Sequence, residues 1–254
     1  MLTVKGIVLM QRNVGEQDRF IDILTAEYGV IEVLVKGAGK INSKSGSGTQ
    51  LFAYSEFCLA DRKNGARVLN SVSPVQIFYG LRSSVTAVAL ASYFSQIISF
   101  AVLPRTGIPE ILRLMLNCLH FLSEGSRSEA QLKAVFELRI ASLLGFMPDV
   151  VMCRRCGTYL PESLYFRVRD GHFFCRTCKG SSNTDGCIAM PAGSLQAIRH
   201  ILLSDFEKIF SFRVSDTAAA PLYAFAEEFL RWHIDRDFPT LQFYKMLCSP
   251  VPQT

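Results

Sequence analysis

The sequence predicts an α+β multidomain chain: a β-barrel over residues 1–80, a mainly α-helical domain over 81–149 and 188–254, and a four-cysteine insertion over 150–187. Three observations predict it. Short runs of β-branched and aromatic residues, separated by turn signals, fill the first part. The apolar period then lengthens to helical spacing. Two Cys-x-x-Cys pairs interrupt that helical pattern.

The first part reads as five strands: LTVKGIVLM, RFIDILT, VIEVLVK, LFAYSEFCLA and ARVLNSV. Tyr28-Gly29 closes one hairpin, and Asp61 to Gly65, with its Asn-Gly pair, closes another. Five short strands in this length suit a small closed barrel such as an OB-fold, and an SH3-like barrel fits the pattern nearly as well. The Lys-Ser-Gly-Ser-Gly run at 44–48 reads as a flexible loop by composition.

Helical spacing starts with Val85–Leu103, an uncharged stretch almost long enough to span a membrane. Ser92, Ser95, Gln96 and Ser99 fall on one face of it, and a lipid-facing helix has no use for such a stripe, so a buried helix is expected. Pro109 opens the next helix and Gly125 stops it. A third begins with the capping box Ser128-Glu129-Ala130-Gln131, carries the apolar stripe Leu132, Val135, Phe136, Ile140, Leu143, Leu144, and ends at Gly145. Beyond the insertion, helices resume near Ser194. Ile198, Ile201 and Leu202 share one face there, and Leu222, Phe225, Ala226, Phe229 and Leu230 share another after Pro221.

Composition narrows the class. With 49% apolar residues in 254, a hydrophobic core is expected and wholesale disorder is not. The net charge of +5 permits a nucleic-acid partner without arguing for one. The run after Met1 is short, carries Lys5 and Gly6 and lacks a cleavage site, so no signal peptide is expected. A reducing compartment follows, in which clustered cysteines bind metal more readily than they form disulfides.

The cluster is Cys153-Arg-Arg-Cys156 and, eighteen residues on, Cys175-Arg-Thr-Cys178. Each pair lets two thiolates reach one tetrahedral ion from a tight turn, and Gly157 and Lys179-Gly180 follow as such turns require. One structural Zn2+ per chain is expected, with two reducible disulfides or four unrelated thiols as the blander readings. Four thiolates leave no open coordination position, so the zinc is expected to be structural rather than catalytic. Arg154, Arg155, Arg176 and Lys179 offset the charge of such a site. His172 is a substitute ligand or an exposed hairpin histidine, and Cys187 is a spare thiol expected to pack.

Phosphate-loop, dinucleotide, zincin and nucleophile-elbow motifs are missing, and the four histidines are scattered. Glu16, Asp18 and Asp22 read as a charged strand face rather than a metal site. Basic residues concentrate in 150–180, six against two acidic ones. Lys36, Lys40 and Lys44 share the segment VKGAGKINSKSG at a strand exit, where glycines and serines let amides and lysines approach a phosphate chain. An ordinary solvated loop has the same composition.

NVGEQDRFIDILTAEYGVIEVLVKGA resembles the N-terminal signature of the RecO family of recombination mediators, and ELRIASLLGFMPDVVMCRRCG resembles that family's helix, Leu-Gly stop and first zinc knuckle. The order of segments is also similar. The resemblance covers residues 1–180 well and the rest weakly. It implies an OB-fold, then a helical domain with an inserted zinc finger, and a cytoplasmic, nucleoid-associated protein that is not an enzyme. It also implies binding of single- and double-stranded DNA, annealing of complementary strands, and loading of RecA on SSB-coated DNA with RecR and often RecF.

The family's basic-loop motif matches Lys36-Gly37-Ala38, with Lys40 and Lys44 following; Gly39, Ile41, Asn42 and Gly46 stand where members usually carry further charges. Arg12 and Arg19 match polar positions on nearby strands and add to the DNA groove. The SSB C-terminal tail is expected against the helix FELRIASLLG, near Lys133 and Arg139. At the C-terminal end, DRDFPTLQFYKML replaces the family's Lys-Ser pattern. Phe52, Tyr54 and Phe57 are the candidates to stack bases, with alternation sending some of them inward. Two other classes remain beside this reading: a zinc-containing protein-interaction adaptor with weak or no direct DNA binding, and a zinc-dependent enzyme.

Overall fold

The computed structural model describes residues 1–39, 46–61, 67–103, 106–179 and 186–249. The chain forms two compact units, Met1–Ser126 with Phe238–Thr254, and Arg127–Asp237.

In the first unit, strands β1 (Leu2–Val14), β2 (Asp18–Thr25), β3 (Gly29–Val35), β4 (Tyr54–Asp61) and β5 (Arg67–Gln76) close into a barrel ordered β1-β2-β3-β5-β4. An SH3-like meander would set β4 beside β3. Here β5 takes that place and runs parallel to β3, and β4 returns to pair with β1, which is the OB arrangement. Alternation supplies the core: Val4, Val8, Ile21, Ile23, Ile31, Val33, Phe57 and Leu59 point inward and are buried.

β4 and β5 pair down to Asp61 opposite Arg67, and the residues predicted to turn between them, 62–66, lie outside those described. Lys44 and Ser45 also lie outside. Gly48, at the end of the predicted flexible run, is instead packed: its carbonyl accepts from Ser55 Oγ at 2.8 Å, and a Cβ there would sit 2.6 Å from Val72.

Helices α1 (Val85–Ala101), α2 (Pro109–Glu124) and α7 (Pro239–Cys248) complete this unit. Ser84 caps α1 by accepting from Ala87 N. The polar stripe of α1 faces protein: Ser95 is buried, and Gln96 Oε1 accepts from Thr240 Oγ1 at 2.5 Å on α7. No described helix is long and apolar enough to cross a membrane. Pro109 stands in the first turn of α2, and Gly125 ends it in the left-handed conformation, as read.

The second unit holds α3 (Glu129–Leu143), β6 (Ser163–Arg167), β7 (His172–Cys175), the one-turn α4 (Arg176–Lys179), β8 (Cys187–Pro191), α5 (Ala192–Leu203) and α6 (Asp216–Ile234). Ser128 Oγ accepts from Gln131 N at 3.2 Å, the predicted cap of α3. α6 opens at Asp216, earlier than the segment after Pro221 suggested, so Pro221 lies inside it. The three strands form a sheet ordered β7-β6-β8. Its inner face carries Leu164, Phe166 and Phe173, and Phe166 packs on Phe225 of α6 with ring centroids 4.4 Å apart.

Gly29 closes the β2–β3 hairpin at φ +62°, and a Cβ there would lie 2.6 Å from Leu103 O and 2.8 Å from Thr106 O. Gly29→Ala therefore meets both left-handed strain and a backbone clash. It should cost about 2–3 kcal/mol, read as a lower urea midpoint with an unchanged slope.

Candidate metal centre and nucleic-acid interface

The turn Cys153–Cys156 ends at Gly157, whose φ of +73° lets its N–H reach Cys153 O at 3.0 Å. Cys175 is the last residue of β7, and Cys178 lies on α4. The two pairs meet: all four Sγ atoms lie within 4.8 Å of one another, and Cys156 and Cys175 are 3.7 Å apart. Four sulfurs at about 2.3 Å from one ion stand about 3.8 Å from each other. A disulfide needs about 2.05 Å, and all eight cysteines are free thiols. The geometry fits one metal ion and not two disulfides.

The surroundings favour ionisation of the first pair of thiols. Cys156 is pulled down to about 6, first by the Thr158 hydroxyl 3.1 Å away and next by the Thr158 backbone N–H. Burial pushes Cys153 up, but the amides of Cys175, Cys156 and Arg155 outweigh it and leave that thiol below its ordinary value. Cys178 is held up to about 12 because it shares its proton with Cys156. A metal ion replaces such shared protons. Among the described residues, these four cysteines are the one group of three or more such ligands close enough to hold an ion. His172 stacks edge-on against Phe174 on the ribbon hairpin, and Cys187 stands opposite Arg167, both outside that group. Asp18 accepts from Gly37 N, and Asp22 pairs with Arg12, so the acidic residues of β2 serve the barrel.

One residue that holds this centre was not legible beforehand. Arg199 on α5 is buried; its Nε donates to Val150 O at 2.6 Å, and its Nη2 donates to Val151 O and Tyr159 O at 2.7 Å each. Its guanidinium also lies 4.0 Å from the Tyr159 ring centroid. The three carbonyls flank Cys153 and Cys156, so the fork staples the first knuckle loop to the helix. The available signal was an arginine beside Ile198 on a mostly apolar helix.

The expected tail-binding cations have internal partners. Lys133 is buried between α3 and α6, with Nζ 2.7 Å from Glu137 and 2.8 Å from Glu227. Burial works against its charge, and the two carboxylates more than restore it. Arg139 Nη1 donates to Leu202 O at 2.8 Å, at the C-terminus of α5, and its guanidinium lies over Phe206.

On the barrel, Arg12 bridges Asp22 and Glu32 across the strands, so its charge is matched locally. Arg19 bonds Asn13 Oδ1 at 3.1 Å and Gln11 Oε1 at 3.3 Å. Its strand partner is Val35, which places it next to the exposed Lys36. Asp18 and Gln17 fix the loop beyond by accepting from Gly37 N and Gly39 N at 2.9 and 3.0 Å. Lys40 and Lys44 lie outside the described residues. Of the candidate stacking rings, Phe52 and Phe57 are buried, and Tyr54 is half-buried.

Comparison with known proteins covers both units. The family model described as Recombination protein O N terminal matches residues 1–78, and that described as Recombination protein O C terminal matches 82–242. The chain is 32% identical to the DNA repair protein RecO of Acetivibrio thermocellus over 246 residues, 97% of each chain. It is 30% identical to the DNA repair protein RecO of Desulfitobacterium hafniense DCB-2 over 234 residues, 91% of this chain and 84% of that one. With the same-named protein of Alkaliphilus metalliredigens the identity is 25%, over 97% of this chain and all of the other (100%).

The Arg199 staple gives a direct test. A lysine keeps the charge but cannot present a planar fork to three acceptors. Arg199→Lys should lower unfolding stability by about 2–4 kcal/mol and raise the rate at which a chelator strips the metal-loaded chain.

Proposed function

The chain belongs to the RecO family, a family of DNA repair and recombination, and from that premise we propose that it is a recombination mediator that works by binding alone. In this reading it holds single- and double-stranded DNA, anneals complementary strands, and helps load RecA on SSB-coated DNA together with RecR and RecF, in the cytoplasm at the nucleoid. The observation that carries it is the pair of matches across the OB barrel and the helical remainder together. The chemistry is sequence-tolerant. Cations on the barrel neutralise phosphates and release counterions, and two strands held on one basic surface repel each other less.

The DNA-contacting set is Arg12, Arg19, Lys36, Lys40 and Lys44, with Arg19 and Lys36 as its described centre. Lys133 and Arg139 enter the tail-binding part as residues that shape the helical surface, since Lys133 Nζ and Arg139 Nη1 bond internally. The metal is read as one structural Zn2+ held by Cys153, Cys156, Cys175 and Cys178. Bound there, it supplies a fixed charge and a cross-link, with no open position for chemistry.

A second reading, a protein-interaction adaptor with weak DNA binding, draws on the Arg12 pairing with Asp22 and Glu32. Ionic strength separates the two. A mediator should bind an oligothymidylate with log K falling against log salt at a slope steeper than about −2, and Arg19→Ala with Lys36→Ala should shallow it. A flat slope would favour the adaptor.

Metal analysis tests the centre. The purified chain should carry one zinc, and Cys153→Ser or Cys178→Ser should lose both the zinc and solubility. Full retention in both variants would refute the ligand set.

A further inference from the structure

The sheet of the second unit has an outer face with chemistry of its own. On β6, Tyr165 and Arg167 point away from the buried Leu164 and Phe166. Across the ladder, Tyr165 stands opposite Phe174, and Arg167 opposite His172. Each ring carries a cation: Lys179 Nζ lies 3.8 Å from the Tyr165 centroid, and the Arg167 guanidinium 5.5 Å from that of Phe174. At the hairpin beyond, the Arg169 guanidinium lies 5.2 Å from the centroid of the exposed Trp232. This third pair borders a groove of about 420 Å³, which Arg167 also lines. Asp170 and Glu228 line it as well, so the groove itself is close to neutral. The excess charge lies along the ribbon, where residues 150–180 hold six basic side chains against two acidic ones.

We propose that this face, from the Lys179–Tyr165 pair to the Arg169–Trp232 pair, is a second surface for single-stranded DNA, additional to the barrel. The inference rests on the mediator reading and deepens it, because annealing needs two strands held at once. Aromatic rings interleaved with cations on a sheet face suit a single strand: bases stack on rings of any sequence, and cations take the phosphates. Each cation now covers a ring, and Arg167 also pairs with Asp170 at 3.3 Å, so Lys179 and Arg169 are the cations that turn to phosphate. Swinging either to a phosphate uncovers its ring, and an exposed cation–ring contact is weaker than a base stacked on the same ring. Asp170 and Glu228 confine the backbone to the sheet and leave the Trp232 groove for a base.

Trp232 is the single tryptophan of the chain and lines the groove at the Arg169 end of this surface, so its emission reports on that groove. Titrating the zinc-loaded full chain with an oligothymidylate should quench that emission saturably. Tyr165→Ala with Phe174→Ala should weaken single-strand affinity about tenfold or more. Arg169→Glu, at an exposed position away from the four cysteines, should also weaken it and shallow the salt slope while zinc content stays at one per chain. Unchanged Trp232 emission and undiminished affinity in both variants would overturn this surface and leave the barrel reading standing. No binding by the intact chain at low salt would overturn both. Equal quenching by polyglutamate would overturn it in favour of an acidic peptide.

Discussion

The guanidinium of Arg199 is the contact on which the second unit depends. A buried cation is stable only when its donors meet acceptors, because desolvation otherwise outweighs attraction. Here the acceptors are carbonyls of Val150, Val151 and Tyr159, which belong to the loop carrying Cys153 and Cys156. Through Nε and Nη2 the fork pairs with three backbone oxygens and fixes the loop that carries two of the cysteines, while Nη1 is buried without a hydrogen-bond partner among the described residues. The fork thereby couples the packing of α5 to the position of the loop that carries Cys153 and Cys156.

Charge elsewhere divides into cations that build and cations that remain at the surface. Lys133 bridges α3 and α6 through Glu137 and Glu227, and Arg139 covers the C-terminal carbonyls of α5. Arg12 ties three strands through Asp22 and Glu32. Lys36, Arg154, Arg155 and Arg176 stay exposed. Further exposed basic residues stand elsewhere on both units, among them Arg82, Arg113, Lys208 and Arg231, while the cysteine-bearing segment alone shows Arg154, Arg155, Arg169 and Arg176 to solvent.

Local signals in the sequence reported local structure well. The five strands, the Ser128 cap, the Gly125 stop and the four cysteines all stand where turn chemistry, capping and ligand spacing put them. Each depends on a few neighbouring residues. Long-range closure was not readable in the same way. The parallel β3–β5 pairing separates an OB barrel from an SH3-like one, and both leave the same alternation in the strands. Glu227, which pairs with Lys133 across to α6, lies 94 positions away and the partners of Arg199 lie 40–49 away, so sequence showed cations but not whether solvent or protein held them. The same distance effect turned Phe52 and Phe57 from candidate stacking rings into buried ones.

The β7-β6-β8 sheet shows why the proposed metal site and the proposed strand-binding face would belong together. Three strands of four or five residues can bury only one face, here Leu164, Phe166 and Phe173 against α6. A sheet that small gains little from its own core. A second apolar layer would be the ordinary remedy, and it would cover the outer face. A metal held by the four thiolates would cross-link the two Cys-x-x-Cys loops, the first of them anchored by Arg199, and stabilise the sheet from its end instead. The outer face would then carry Tyr165, Phe174 and their cations without a second apolar layer, as the proposed strand-binding surface requires.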